Sequence, residues 1–166
     1  MTEQASAVYS RSVKMSRYLD KIQTFIEMGK LLSRLSTCKR DKVSAIVFPC
    51  DCTAIYSIGY NGPAQGLLND SCTDEEGQCG CVHAEANAII KLGNQTKPCV
   101  LYSTRMPCRT CAGLILNCSQ IKAVIYTGEY RNLFGYNLIK KAGGIIEYFE
   151  NIRNIEQDLL YWKKRC

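Results

Sequence analysis

Apolar residues recur at helical spacing in the first part of the chain and at strand spacing after it. Over residues 18–35 they return every three or four positions, which predicts an amphipathic helix. Residues 1–16 are polar and show no such period, so we expect a flexible extension there. Two β-rich runs follow, over residues 43–48 and 54–58, and the short polar segment between them predicts a β-hairpin.

The second half of the chain alternates helical and extended segments. Residues 59–80 are rich in turn-forming residues and predict a long loop. After it, the pattern predicts helices over residues 84–92, 108–117, 133–142 and 155–164, and strands over residues 100–103, 122–126 and 145–149. This βαβ alternation is typical of the α/β class. No linker divides the chain, so we expect a single domain over residues 17–166.

Composition narrows the kinds of protein that this chain can be. With 166 residues, of which 46% are hydrophobic and 22% charged, it can bury one sizeable core. The N-terminus has no apolar run that would suit a signal peptide, and no segment approaches the roughly 18 apolar residues of a membrane span. We therefore expect a soluble cytoplasmic protein with no membrane partner.

The cysteine content and the net charge point to a metal and an anionic ligand. The chain has 11 cysteines, an odd number, and no export signal, so reduced thiols that bind metal explain them better than a disulfide scaffold. The net charge is +6. Its basic residues concentrate over residues 11–42 and 163–165, which suits anionic small molecules as well as nucleic acid.

The only histidine and a CxxC motif form the clearest chemical signal in the chain. Pro107 stands where a helix should begin, so Cys108 and Cys111 would lie one turn apart on the same face of that helix. His83 opens the preceding helix, and Glu85 follows two residues later. We predict that His83, Cys108 and Cys111 bind a catalytic zinc ion.

This predicted site favours hydrolysis over a structural role. Three protein ligands leave a fourth position for water, which is typical of catalytic zinc, and zinc lowers the pKa of that water towards about 7. Glu85 is placed to take a proton from the water and return it to a ring nitrogen and the departing amine. An HxE motif followed by PCxxC is the signature of zinc-dependent nucleobase deaminases. We therefore expect hydrolytic release of ammonia.

Several segments of the chain resemble a known family. CVHAEANAI and MPCRTCAGLI look like the cytidine and deoxycytidylate deaminase family. CKRDKVSAIV, GYNGPAQG and EYRNLFGYNLIKKAGG resemble its deoxycytidylate (dCMP) deaminases, including those of bacteria and phages. The resemblance implies a three-layer α/β/α fold with a central mixed five-stranded sheet, and with the metal between the N-termini of two helices.

The resemblance also implies a reaction and a way of binding its substrate. The reaction is that of a hydrolase acting on cyclic amidines: dCMP becomes dUMP and ammonia, and dUMP is the precursor of dTMP. Asn61 would contact the nucleoside part, with Ala84 beside it, while Arg40, Tyr130 and Arg131 would hold the 5′-phosphate. Guanidinium groups can make forked hydrogen bonds to phosphate oxygens. Without the resemblance, the arginines would be ordinary surface charges and Asn61 part of a turn.

Four further cysteines, Cys38, Cys72, Cys79 and Cys81, stand outside the predicted catalytic site. Some dCMP deaminases use extra cysteine or histidine residues near corresponding points for a structural zinc, and four cysteines can close a tetrahedral site. The resemblance therefore implies a second, structural zinc. Buried free thiols are the alternative.

Other functions stay open at this point. The chain could deaminate another cytosine compound, such as dCTP, modified dCMP or cytidine, edit tRNA or single-stranded DNA, or bind zinc without catalysis. The absence of a concentrated aromatic and basic tract argues against nucleic acid, and Glu85 argues against a non-catalytic role. The family further implies a homo-oligomer that is activated by dCTP and inhibited by dTTP. Lys91 stands where regulated relatives often carry an apolar or aromatic residue, which counts against that response.

Overall fold

The described part of the chain contains four α-helices, a short 3-10 helix and five strands. A computed structural model describes residues 3–149 except 74 and 76–78, with side chains from residue 17 onward. In chain order the elements are α1 (Glu3–Leu32), a short 3-10 helix (Ser33–Leu35), β1 (Ser44–Pro49), β2 (Ser57–Tyr60), α2 (Ala84–Lys91), β3 (Cys99–Ser103), α3 (Arg109–Asn117), β4 (Ile121–Tyr126), α4 (Phe134–Lys141) and β5 (Ile145–Tyr148).

The five strands form one mixed sheet in the order β2-β1-β3-β4-β5. β1 is antiparallel to β2 and β3, whereas β3, β4 and β5 run parallel. At one edge the last residues of β2, β3, β4 and β5 therefore lie beside the first residues of β1. We call this edge the site edge. The loops before β1 and after β2, β3 and β4 all leave the sheet there.

Helices cover both faces of the sheet, which confirms the predicted three-layer α/β/α architecture. On one face, Ile22 and Ile26 of α1 pack with alternate residues of β1 such as Phe48. On the other face, α2, α3 and α4 pack on the intervening residues, among them Val47 and Leu101. Every residue of β1 is buried because the strand is covered on both sides.

Two glycines allow helices to lie close to the site. A Cβ atom at Gly59 of β2 would overlap the backbone of Ala84 and Ala88, so glycine lets α2 rest directly on the strand. A Cβ atom at Gly135 would overlap the carbonyl oxygen of Pro107 and lie 2.9 Å from the backbone of Cys108. Gly135 thus allows α4 to support the segment that carries Cys108.

Some element boundaries differ from those predicted. α1 begins at Glu3, so residues 3–16 continue the helix. Adding residues to an existing helix costs less than starting one and requires no apolar stripe, which explains why the hydrophobic period stopped short. Whether this stretch is flexible stays a prediction, as does the single domain over residues 17–166. The predicted strand over residues 54–58 begins only at Ser57, and the predicted helix over residues 155–164 lies outside the described residues.

None of the helices in the described ranges combines the length and the apolar character that a membrane crossing needs.

Gly135→Ala should destabilise the protein. The added methyl group would force α4 away from Pro107, and such overpacking lowers the free energy of unfolding by about 1–3 kcal/mol, which urea denaturation measures. Gly113→Ala in α3 is the matched control, because nothing lies within 4 Å of its added Cβ. Equal stability of wild type and Gly135→Ala would show that α4 can move without cost.

Candidate active site

The predicted metal ligands stand where two helices begin. His83 precedes α2 with an extended backbone, φ −69° and ψ 155°. Cys108 caps α3, and its Sγ accepts a hydrogen bond from the backbone N–H of Cys111 at 3.5 Å. The prediction that Pro107 is the first helical residue is therefore wrong, because Pro107 precedes the cap. The helix begins at Arg109 because the sulfur of Cys108 satisfies a backbone donor of its first turn.

The three predicted ligand atoms fit one metal ion. The Nδ1 atom of His83 lies 3.5 Å from the Sγ of Cys108 and 3.4 Å from the Sγ of Cys111. All three atoms lie within 4.8 Å of one another. In a tetrahedral zinc site, Zn–S and Zn–N bonds of about 2.3 and 2.0 Å separate the ligand atoms by about 3.5–3.8 Å. The nitrogen and the two sulfurs therefore suit a three-ligand zinc site.

The pKa values of the Cys108 and Cys111 thiols explain why this site favours binding of a cation. The hydrogen bond with Cys111, helped by His83, lowers the pKa of the Cys108 thiol to about 3. The same hydrogen bond, together with burial, raises the pKa of the Cys111 thiol, and the Cys108 sulfur raises the pKa of His83. Two neighbouring thiolates repel each other, and a divalent cation between them removes that repulsion.

Glu85 lies beside this site in the first turn of α2. Its side chain is 3% exposed, and burial raises the pKa of the carboxyl group because an apolar environment disfavours the charged form. Glu85 borders the same cavity as His83 and Cys108. It is thus a buried carboxyl group that a small molecule in the cavity can reach.

A cavity of about 390 Å³ opens at the site edge over these residues. It brings together all the predicted substrate-binding residues, namely Arg40, Asn61, Ala84, Tyr130 and Arg131. It is also bordered by residues that were not predicted as site residues, namely Asp41, Val43, Arg105, Met106 and Glu129. All but Arg105 lie within the segments that resemble the family. Only the strand order, however, shows that their separate loops meet at one cavity. A cavity of this size suits a small-molecule ligand.

Asn61 is buried and bonded to the protein itself. Its Nδ2 donates to the carbonyl oxygen of Asp41 at 2.8 Å, and its Oδ1 accepts from the N–H of Val43 at 2.8 Å and the hydroxyl of Ser36 at 2.7 Å. These bonds fix the loop that leads into β1. The contact of Asn61 with a nucleoside stays a prediction.

Arginines are concentrated around the cavity and an adjoining groove. The guanidinium carbon of Arg131 lies 5.6 Å from the ring centroid of Tyr130, a cation–π distance. The groove is bordered by Arg40, Arg131 and also Arg109, which was not predicted from the sequence. Among the described residues that border it there is no aspartate or glutamate. The groove therefore favours an anionic ligand.

The four remaining predicted ligands form a second cluster. The Sγ atom of Cys79 lies 3.4 Å from that of Cys38 and 3.3 Å from that of Cys72. With Cys81, all four sulfurs lie within 4.8 Å of one another. A hydrogen bond from the backbone N–H of Lys39 lowers the pKa of the Cys72 thiol to about 7, while burial raises the pKa of Cys79 and Cys81. Four sulfurs at these separations suit a closed tetrahedral zinc site.

Comparisons with known proteins agree with this chemistry. Residues 19–128 match the family model for the cytidine and deoxycytidylate deaminase zinc-binding region. Over 120 residues the chain is 30% identical to the deoxycytidylate deaminase of Schizosaccharomyces pombe, covering 64% of this chain and 36% of that protein. It is 28% identical over 138 residues to the deoxycytidylate deaminase of Saccharomyces cerevisiae, covering 75% and 43%. The chain thus spans less than half the length of these two relatives.

One solved structure resembles this chain in both sequence and fold. It is the crystal structure of dCMP deaminase from the cyanophage S-TIM5 in complex with dCMP and dUMP. The match has a TM-score of 0.67 and 30% identity, and it covers 76% of this chain and 94% of the phage chain. The cytidine-deaminase-like fold predicted from the motifs is thereby confirmed.

Purified protein should contain about two zinc ions per chain, one for each ligand cluster. Cys72→Ser should lower the content to about one, because it removes a ligand of the four-cysteine cluster only. Elemental analysis of freshly purified protein measures this. Cys118→Ser is the matched control, since Cys118 belongs to neither cluster. A zinc content near one in the wild type would identify the four cysteines as free thiols.

Proposed function

We propose that this chain, which belongs to the cytidine and deoxycytidylate deaminase family, hydrolyses dCMP to dUMP and ammonia. One observation carries the proposal: His83, Glu85 and Cys108 border the same cavity as Arg40 and Arg131. The first group suits hydrolysis at an amidine carbon, and the arginines suit a phosphate. The similar S-TIM5 enzyme binds dCMP and dUMP, which supports this choice of substrate and product.

In the proposed mechanism the chain's own residues hold the metal and move protons. His83, Cys108 and Cys111 would hold the zinc ion, which would supply the Lewis acidity that lowers the pKa of water. Glu85 takes a proton from the attacking water and delivers it to the cytosine ring nitrogen. The second proton of the water goes to the amine, which leaves as ammonia. The proton count balances, because water enters and ammonia departs.

The phosphate of the substrate is proposed to bind between two loops of the site edge. Arg40 comes from the loop before β1, and Tyr130 and Arg131 come from the loop after β4. Each guanidinium can bind phosphate oxygens through paired N–H groups. Asn61 and Ala84 are proposed to face the nucleoside part. Because Arg109 borders the adjoining groove, dCTP is the alternative substrate that we would test first.

The four-cysteine cluster is proposed to hold a structural zinc. Cys38, Cys79 and Cys81 also border the cavity, and Arg40 follows Cys38 by two residues. A metal held by these side chains would fix the cavity wall that presents Arg40. It would tie the loop before β1 to the longer loop between β2 and α2.

The wider setting of the enzyme is also a proposal. A homo-oligomer is proposed on the family resemblance, and Ile90, Leu114 and Phe134 are apolar side chains exposed on three helices. The free thiols of both clusters suit the reducing cytoplasm, of the host if the protein is viral. Activation by dCTP and inhibition by dTTP rest on the family resemblance. Against them stands Lys91, whose ammonium group lies 5.5 Å from the ring centroid of Tyr60.

Glu85→Gln should keep zinc and lose activity. The amide cannot carry the proton, and general acid–base groups accelerate reactions by about 100- to 10,000-fold, so kcat should fall within that range. Ammonia release and zinc analysis of the same preparation check both parts. Glu147→Gln is the matched control, because Glu147 lies on β5 and pairs with Lys140. Turnover retained by Glu85→Gln would contradict the proton-carrying role.

Arg131→Gln should lower kcat/KM for dCMP but not for deoxycytidine. Losing a hydrogen bond to a charged group costs about 1.5–3 kcal/mol, so kcat/KM for dCMP should fall by about 10- to 100-fold. Ammonia release from both compounds at a series of concentrations measures this. Arg34→Gln, an exposed arginine of the 3-10 helix, is the matched control. Equal turnover of deoxycytidine and dCMP by the wild type would reject the phosphate-binding roles.

A further inference from the structure

An ion-paired bridge crosses the border of the cavity between the two loops that carry the proposed phosphate ligands. The Nε and Nη2 atoms of Arg105 donate hydrogen bonds to the two carboxylate oxygens of Asp41, each at 2.9 Å. The Nη1 atom donates to the backbone carbonyl oxygen of Glu129 at 3.0 Å. The guanidinium therefore binds one loop through a forked ion pair and the other through its backbone.

The two ends of this bridge adjoin the proposed phosphate ligands. Asp41 directly follows Arg40, and Glu129 directly precedes Tyr130 and Arg131. Arg105 itself follows β3, the strand between β1 and β4 in the sheet. The side chain of Arg105 therefore joins the loop that carries Arg40 to the loop that carries Arg131.

Neighbouring contacts hold the ends of the bridge in place. On one side, the buried amide of Asn61 donates to the carbonyl oxygen of Asp41 at 2.8 Å. On the other, the N–H of Met106 donates to the carbonyl oxygen of Gly128 at 2.6 Å. A Cβ atom at Gly128 would lie 2.6 Å from the carbonyl oxygen of Thr104, so this glycine lets the two loops approach. The bridge thus joins two anchored loops.

The charge of Asp41 gives the bridge a second consequence. Asp41 borders the cavity, and a carboxylate without a counter-charge there would repel a phosphate. Arg105 neutralises it. The two side chains are 39% and 43% exposed, and ion pairs with that exposure contribute little to fold stability. A variant without the pair should therefore fold, and its effect should fall on ligand binding.

The guanidinium group of Arg105 is already hydrogen-bonded within the protein. Three of its N–H groups are engaged by Asp41 and Glu129, which leaves it poorly placed to act as a main phosphate ligand. We propose that Arg105, bridging Asp41 and the Glu129 carbonyl, is a positioning residue that sets the spacing of Arg40 and Arg131 for the substrate's 5′-phosphate. This inference rests on the proposed function.

The test compares KM and kcat for dCMP and deoxycytidine in Arg105→Gln, in Arg105→Gln/Asp41→Asn and in the wild type. Arg105→Gln should raise KM for dCMP about tenfold, with kcat and the deoxycytidine kcat/KM changed by less than about twofold. The double variant removes the bare carboxylate, so it should recover part of the loss. Lys97→Gln is the matched control, because it breaks an exposed ion pair with Asp51 that does not border the cavity.

Each contrary result identifies what has failed. An unchanged KM for dCMP in Arg105→Gln, or an equal loss with both substrates, would overturn the positioning role while leaving the proposed function intact. Full recovery in the double variant would overturn it as well, since Arg105 would then be a counter-charge only. A wild type that releases no ammonia from dCMP would overturn the proposed function, and this inference with it.

Discussion

The meeting of two helix N-termini at one sheet edge is the constraint on which the candidate active site depends. His83 and Cys108 each stand one residue before a helix, with extended backbone, so their side chains can point to a shared centre. The free N–H groups of a first helical turn carry partial positive charge and stabilise thiolates. Gly59 brings α2 onto the sheet and Gly135 brings α4 against the Cys108 segment, so close backbone contacts determine where the ligand atoms meet.

Repulsion between neighbouring thiolates explains why each cysteine cluster would take up a metal ion. In each cluster one thiol has a lowered pKa, Cys108 or Cys72, while burial or a neighbouring sulfur raises the pKa of others. Full ionisation therefore needs a cation, and the proposed zinc ions and the local fold would stabilise each other. For the second cluster the effect would reach the cavity, because Cys38 and Cys81 border it. A structural metal there would shape the binding site without touching the substrate.

The sequence predicted the candidate site residues where they lie close together along the chain. His83 with Glu85, and Cys108 with Cys111, are near neighbours in the chain, so their spacing predicted a metal site whose atoms the fold brings together. The hydrophobic pattern likewise predicted the five strands and the three helices that the structure describes after residue 80. The bridge of Arg105 and Asp41 could not be predicted in this way. Its residues are 64 positions apart, and only the order β1-β3-β4 makes their loops neighbours.

The exposed ion pair between Arg105 and Asp41 illustrates that an ion pair can fix the position of side chains without stabilising the fold. A half-exposed pair adds little to stability because water screens it, yet its forked geometry still fixes direction and distance. Its place at a cavity border thus favours a role in ligand placement. The same reasoning accounts for Asp41 at the border of the cavity beside Arg40 and Arg105. The carboxylate of Asp41 adds no net negative charge while Arg105 is bound to it. It also holds the guanidinium in one orientation through two hydrogen bonds. A chain with a net charge of +6 can attract an anionic ligand by charge alone, but orienting it requires arginines at a fixed spacing.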